Sequence, residues 1–267
     1  MIRKTLLLLA LFVGLGSVAS AYENTYALII GVADYKNFTN KDGDLTYTIN
    51  DAASFCAFLK SKKGGSVPAA NIVLLTDAQA SKANIIAKGK ALFAKAKKDD
   101  RVIFYFSGHG CKGCFLPYDV DDFGHNMLSF DEVKSIFRNA KCNTKLLFAD
   151  ACFAGSMKKG LSSTSELKKS IEKSNRKTSN MNIAVMMSCQ GDETSIESPS
   201  LRQGVFTYYL MEGLGGSANS DGNKFVTIQE LYYYVYHKVQ DYATKGKRKQ
   251  TPELFGKFDL RLIVAKV

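Results

Sequence analysis

Residues 102–110 read VIFYFSGHG, and residues 145–155 read KLLFADACFAG. Each is an unbroken apolar run that stops abruptly in small and reactive residues. Runs of this kind, rich in β-branched and aromatic side chains and lacking polar alternation, predict strands buried on both faces. Working outward, the same pattern recurs at Tyr26–Val32, Ile72–Leu75 and Ile183–Met187, with a last candidate strand at Leu260–Val264. Helical spacing fills the intervals. Asp51–Lys62 carries Ala52, Phe55, Phe58 and Leu59 on one face. Ser81 is a good N-cap for a helix through Ile85, Ile86, Leu92 and Phe93, and Ser129 with Glu132 forms a capping-box pattern ahead of Phe137. Further helices are predicted at about 205–214 and 227–240. Strands alternating with helices imply an α/β fold, a mostly parallel sheet covered on both faces. In such sheets ligands bind at the carboxyl ends of the strands, where the two quoted runs place His109 and Cys152.

The chain has 267 residues, 46% of them hydrophobic, enough for one large α/β domain. Residues 1–21 stand apart. Arg3 and Lys4 precede an apolar run of about 13 residues, and Ala19-Ser20-Ala21 is an A-x-A cleavage signal, so the segment predicts a secretory signal peptide too short to span a bilayer comfortably. A mature chain beginning at Tyr22, exported to a periplasm or the exterior and without stable membrane insertion, is the expectation. Its removal takes the formal charge from +11 to +9. The excess is diffuse, and without a nucleic-acid-binding module it predicts solvated surface and no nucleic-acid partner.

A thiol is a weak nucleophile until a base or a positive neighbour generates its thiolate. The chain offers three histidines and six cysteines. His109 alone is flanked by glycines, as tight turns and close ligand approach require; His125 lies in a polar turn and His237 within an aromatic helical run. Of the cysteines, Cys152 alone follows a buried strand and precedes a small-residue turn. Cys111 and Cys114 form a single C-x-x-C without a second ligand pair for zinc, so a local disulfide and free thiols both stay open.

Taken together, Ser107-Gly108-His109-Gly110 and Asp150-Ala151-Cys152-Phe153-Ala154-Gly155 resemble the caspase and metacaspase family, and the 43 residues from His109 to Cys152 are close to the family's spacing of about 50. The likeness extends over nearly the whole mature chain. YALIIGVADY is similar to the family's first strand, YTINDAASFCAFL to its first helix and LTDAQASKANI to its second strand and the helix start after it. SCQGDETSIES, GVFTYYLMEGL, TIQELYYYV and QTPELFG are similar to its small-subunit half. The resemblance implies a caspase-like three-layer sandwich with a mostly parallel six-stranded sheet. It would comprise a large-subunit part at about 22–157, a basic linker at about 158–181 and a small-subunit part at about 182–267. It also implies a monomeric cysteine endopeptidase with a His109–Cys152 dyad and an oxyanion hole from the backbone N–H groups of Gly110 and Cys152.

Specificity is implied by the same comparison. Caspases that cleave after Asp resemble Gln-Ala-Cys around the nucleophile, whereas metacaspases, which cleave after Arg or Lys, carry an acid where this chain has Asp150. They also resemble it at Asn50-Asp51 and Ser107. Asp51, Ser107 and Asp150 are therefore the expected substrate-binding pocket, since two carboxylates facing a guanidinium or ammonium make charge-assisted hydrogen bonds. The competing expectation is that Asp51 caps its helix and Asp150 makes only structural hydrogen bonds. Thr48 departs from the Cys common in metacaspases and should alter pocket shape, not charge. In the linker, Lys158, Lys159, Lys168, Lys169, Lys173, Arg176 and Lys177 against Glu166 and Glu172 leave +5, so an enzyme specific for basic residues could process itself there as a zymogen. No metal or other cofactor is expected. The clusters Asp119/Asp121/Asp122 and Asp221-Gly222-Asn223 match a calcium loop poorly and read as turns, with calcium activation left open. A non-catalytic caspase-like binding module, a peptidase with a different residue preference, and another thiol hydrolase or transferase on a similar sheet are the alternative functions.

Overall fold

The computed structural model describes residues 22–38, 43–111, 113–121, 124–151, 183–191 and 193–267. Cys152, the linker at 158–181, the signal-peptide segment and Asp122 lie outside them.

Six strands make the central sheet: β1 (Thr25–Gly31), β2 (Ile72–Thr76), β3 (Arg101–Ser107), β4 (Thr144–Asp150), β5 (Ile183–Met187) and β6 (Glu253–Gly256), in the order β6-β5-β4-β3-β1-β2. All pairs are parallel except β6 with β5 at the edge. Every residue of β3, β4 and β5 is buried, as their unbroken apolar sequences require. Helices α2 (Lys82–Phe93) and α3 (Phe130–Phe137) cover one face through Ile85, Leu92, Phe93, Val133, Ile136 and Phe137. Helices α1 (Thr48–Lys60), α4 (Val205–Glu212) and α5 (Ile228–Lys245) cover the other through Phe55, Leu59, Phe206, Leu210, Leu231 and Val235. The architecture is therefore the expected three-layer α/β sandwich.

Local start signals act as the sequence predicts. Ser81 Oγ accepts from Asn84 N, and the Ser129–Glu132 capping box closes at both bonds. Helix α5 has a second capping box, Thr227 with Glu230. One expectation is corrected: the run ending at Val264 is not a strand of the main sheet. Ile263–Lys266 pairs antiparallel with Phe225–Thr227 as a separate ribbon, and the sixth main strand is Glu253–Gly256. Two acceptable strand runs sit ten residues apart there, and only the sheet edge decides between them.

Register brings the two quoted runs together. Gly31 pairs with Ser107, and Ser107 with Asp150, so β1, β3 and β4 end side by side. The link continues past the strands, because Gly108 N–H donates to the Asp150 carbonyl at 3.2 Å. Gly31 has to lack a side chain: a Cβ there would stand 2.7 Å from both Ala52 Cβ and Thr48 O, and its absence lets α1 lie against β1.

Candidate active site

A small cleft opens at these strand ends. It is lined from the amino-terminal side of the sequence by Thr48, Asp51, Ser107, Gly108, His109, Asp150 and Ala151, and from the carboxyl-terminal side by Ser195, Glu197 and Gly204. Four of the residues singled out in the sequence, Asp51, Ser107, His109 and Asp150, thus share one cavity. Ala151 is the last described residue before Cys152, so the strand leading to the sequence-predicted nucleophile ends in the cleft wall.

His109 is held at three points. Its backbone N–H donates to Tyr35 Oη at 2.7 Å, its ring packs 5.1 Å from the Tyr35 ring, and its Nε2 lies 2.7 Å from the carbonyl oxygen of Gly43. A carbonyl only accepts, so Nε2 carries the proton and Nδ1 is the basic nitrogen of the neutral ring. Burial pushes the imidazole pKa down, opposed by the Gly43 hydrogen bond and by the charges of Glu197 and Asp44. The neutral ring is thereby favoured. Gly108 leaves room for this arrangement, since a Cβ would come within 2.9 Å of Tyr35 Oη. Gly110 follows in a hairpin whose register pairs it with Phe115, between the Cys111–Cys114 pair and the Leu116 N–H bond to His109 O. Antiparallel alternation puts Gly110 at the non-hydrogen-bonded position, its N–H directed out of the hairpin. Cys111 and Cys114 close this hairpin as a disulfide with Cα atoms 5.1 Å apart, resolving the question their spacing left open.

The carboxylates sit deeper. Asp51 does not cap α1, whose N-cap Tyr47 makes no side-chain cap bond. Its Oδ2 accepts from Ser107 Oγ at 2.9 Å and its Oδ1 from Gly204 N–H at 2.8 Å. Asp150 Oδ2 accepts from Thr207 N at 3.1 Å and Thr207 Oγ1 at 2.8 Å, and its Oδ1 accepts from Ser195 Oγ. Thr207 N–H belongs to the first turn of α4, where a helix favours negative charge. Both acids are almost fully buried, and burial pushes both pKa values up; Asp51 reaches about 8, with the Asp150 charge as the second cause. The buried pair accordingly favours a proton, and a cation entering beside it would replace that proton. Thr48, the departure noted in the sequence, turns its hydroxyl to Val32 O at 2.8 Å and contributes wall without charge.

Several residues here escaped sequence reasoning. Gly204 is one: a Cβ would fall 2.2 Å from Asp150 Oδ2 and 3.0 Å from Asp51 Oδ2, so only glycine fits over the two acids. Glu197 is another, directly opposite Gly204 in the ribbon Glu197–Ser198/Gln203–Gly204. Ser195, Thr207 and Tyr35 are ordinary polar residues in sequence, and Gly43 acts through its backbone, which leaves no compositional trace. Among the described residues, none of the acids weighed for calcium lines the cleft. Asp119 Oδ1 accepts from Lys82 N at the start of α2, Asp121 pairs with His125, and Asp221 closes a turn on Asn223.

These features place the molecule among α/β proteins with a histidine and buried acids at the sheet's carboxyl end. The Caspase domain family model matches residues 24–261, and the chain belongs to that family, a family of cysteine peptidases. Metacaspase-1A of Aspergillus oryzae is 36% identical over 113 residues, 40% of this chain and 24% of that protein. Metacaspase-1A of Aspergillus niger is 33% identical over 113 residues, 40% of this chain and 25% of that protein. A probable protease from a Desulfuromonadales bacterium is 27% identical over 150 residues, 48% of this chain and 18% of that protein. The matches therefore span about a quarter or less of these relatives. A crystal structure of a Geobacter sulfurreducens protein superposes with a TM-score of 0.57 at 16% identity, covering 90% of this chain and 97% of that one, and shares the fold.

Proposed function

We propose that the chain is an exported, monomeric cysteine endopeptidase that cleaves after Arg or Lys. One observation carries the reading: Asp51 and Asp150 converge with Ser107 in the same cleft as His109, with no cationic side chain among the described residues that line it. An arginine or lysine side chain entering between the two acids makes charge-assisted hydrogen bonds and holds them ionised, while an aspartate is repelled.

In this mechanism the neutral His109 ring takes the Cys152 thiol proton at Nδ1, the thiolate attacks the scissile carbonyl carbon, and the oxyanion is held by the N–H groups of Gly110 and Cys152, each donor worth roughly 2.7–4 kcal/mol. The tetrahedral intermediate collapses as the protonated Nδ1 of His109 donates to the departing amine. The neutral ring then takes a proton from water, which attacks the thioester and releases the acid and the thiol. Throughout, Nε2–H stays on Gly43 O, which fixes the ring plane. The basic linker supplies sites for self-processing of a zymogen.

The test uses Tyr22–Val267, with and without calcium, against fluorogenic peptides differing only in the residue before the scissile bond. Arg and Lys peptides are expected to be cleaved at least ~100-fold better than Asp peptides, a charge reversal beside buried acids being worth several kcal/mol. Preference for Asp would overturn the pocket. Cys152→Ala is expected to abolish turnover and to leave the linker uncut in fragment masses; residual cleavage by that variant removes Cys152 as nucleophile.

A further inference from the structure

We infer that Glu197 is a positioning residue that sets the orientation of His109 from the opposite half of the chain, and is the third acid of the cleft. The inference rests on the peptidase reading for its consequence in turnover, but not for its geometry. Glu197 Oε1 accepts from Tyr47 N–H at 2.6 Å and Thr46 N–H at 3.0 Å, with Oε2 3.2 Å from Thr46 N. One carboxylate thus grips two successive backbone amides 150 and 151 residues away in sequence. The gripped stretch leads from Gly43 to the first turn of α1. Its start offers the carbonyl that receives His109 Nε2–H, and its end carries Thr48 and Asp51 into the cleft wall. The loop's other described tie is Leu45 N to Ala33 O at 3.1 Å. Without Glu197 the Thr46 and Tyr47 amides lose their acceptor, and the Gly43 carbonyl is free to drift from the ring.

The opposite end of Glu197 is equally fixed. Its ribbon partner is Gly204, whose N–H donates to Asp51, and the flanking Ile196 carbonyl accepts from Val205 N at 2.9 Å. A single two-residue ribbon therefore holds Asp51 through one strand and the His109 loop through the other. Base and specificity pocket are set together by the docking of the small-subunit half. Charge adds a second effect. Among the described residues, the titratable groups facing the His109 ring are Glu197, Asp44 and Tyr35, with Asp51 and Asp150 in the same cleft, and the negative charge of Glu197 supports the protonated ring.

Two variants separate clamp from charge. Glu197→Gln keeps an acceptor oxygen for the amides and loses the charge; Glu197→Ala loses both. Long-range ¹H–¹⁵N spectra resolve the three imidazoles, and loss of the His109 signal in His109→Ala assigns it. Wild type and Glu197→Gln should show the Nε2–H tautomer, with the ring titrating at lower pH in Glu197→Gln. Glu197→Ala should show mixed tautomers. With an Arg peptide, kcat should fall on the order of 100-fold in Glu197→Ala, the cost of a misplaced catalytic group, while Glu197→Gln retains most of it with its acid limb displaced downward. An unchanged His109 tautomer in Glu197→Ala overturns the inference. Should wild type cleave no peptide, the peptidase reading fails and the tautomer comparison still decides the clamp.

Discussion

The buried acids of the cleft weaken the fold they serve. The Asp51 pKa rises from an unfolded value of about 3.9 to about 8, chiefly through burial and then through the charge of Asp150. A carboxyl whose folded pKa is raised contributes stability that is complete below its unfolded pKa and is lost as pH climbs through the folded one. The wild type should therefore lose stability between about pH 4 and pH 8 from this group. Asp51→Asn keeps an oxygen for Gly204 N–H and shares the side-chain shape. At about pH 3, below the unfolded pKa, its melting temperature should match wild type, and above pH 8 it should exceed it by a few degrees. The same variant should lose ~30-fold or more in kcat/KM toward Arg peptides, the cost of removing one partner from a buried charge contact. Calorimetry at the two pH values checks the first half, and a variant less stable at both would show that ionised Asp51 is stabilising. At this scale the sequence was legible wherever chemistry is local. Ser107 and Asp150 were legible as strand ends because they close apolar runs, while their expected part in a pocket came from the resemblance to metacaspases; His109 stood out because glycines flank it. Glu197 and Gly204 could not, because their roles depend on pairing with each other and with residues some 150 positions away.

Among the elements, α4 is the one whose seating matters most to the cleft, because its first turn holds Asp150. Thr207 has one hydroxyl proton, which goes to the carboxylate, so the fully buried Tyr105 hydroxyl 2.6 Å away is the donor in turn. The chain Tyr105–Thr207–Asp150 joins a mid-sheet strand, a helix and the cleft. Thr207→Val preserves volume and the backbone N–H bond but strands the Tyr105 hydroxyl and one bond of Asp150. A loss of about 1–3 kcal/mol in unfolding free energy by urea titration is expected, and no loss would mean the hydroxyl network carries no stability. Strands and helices were mostly legible because burial on both faces writes itself as apolar runs, and caps such as Ser81 and Ser129 as short polar punctuation. The carboxyl-terminal strands were not. Glu253–Gly256 has the burial of an edge strand, two intermediate positions, one buried and one exposed, which its short sequence does not distinguish from a loop.

Over the whole molecule, the first described residues and the carboxyl-terminal ribbon are fastened by one buried cation. Arg101 opens β3 at the end of the sheet away from the cleft. Its Nε and Nη2 donate to Thr25 Oγ1 at 3.2 and 3.0 Å, its Nη1 donates to the Val264 carbonyl, and the ring of Tyr22 stacks 3.8 Å from its guanidinium carbon. Tyr22, expected as the first residue after the signal peptide, thus meets the carboxyl-terminal ribbon through a side chain of the central sheet. Burial lowers the Arg101 pKa without a carboxylate among its causes, and Tyr22 partly restores it. A guanidinium remains charged in such surroundings, so its hydrogen bonds and the aromatic face offset its desolvation. Arg101→Met keeps the apolar stem and removes every donor, leaving Thr25 Oγ1 and Val264 O short of partners. Two or three buried hydrogen bonds lost at about 1–1.5 kcal/mol each predict about 2–4 kcal/mol of destabilisation. For a domain of this size that lowers Tm by roughly 4–16 °C. Because the lesion lies at the far end of β3, kcat/KM below the new transition should stay within about twofold of wild type. A variant that melts like wild type would mean the two ends are held by the apolar packing of Val264 and Ala265 alone, whereas a variant that keeps its fold but loses activity would mean that the two ends of β3 are coupled through the strand.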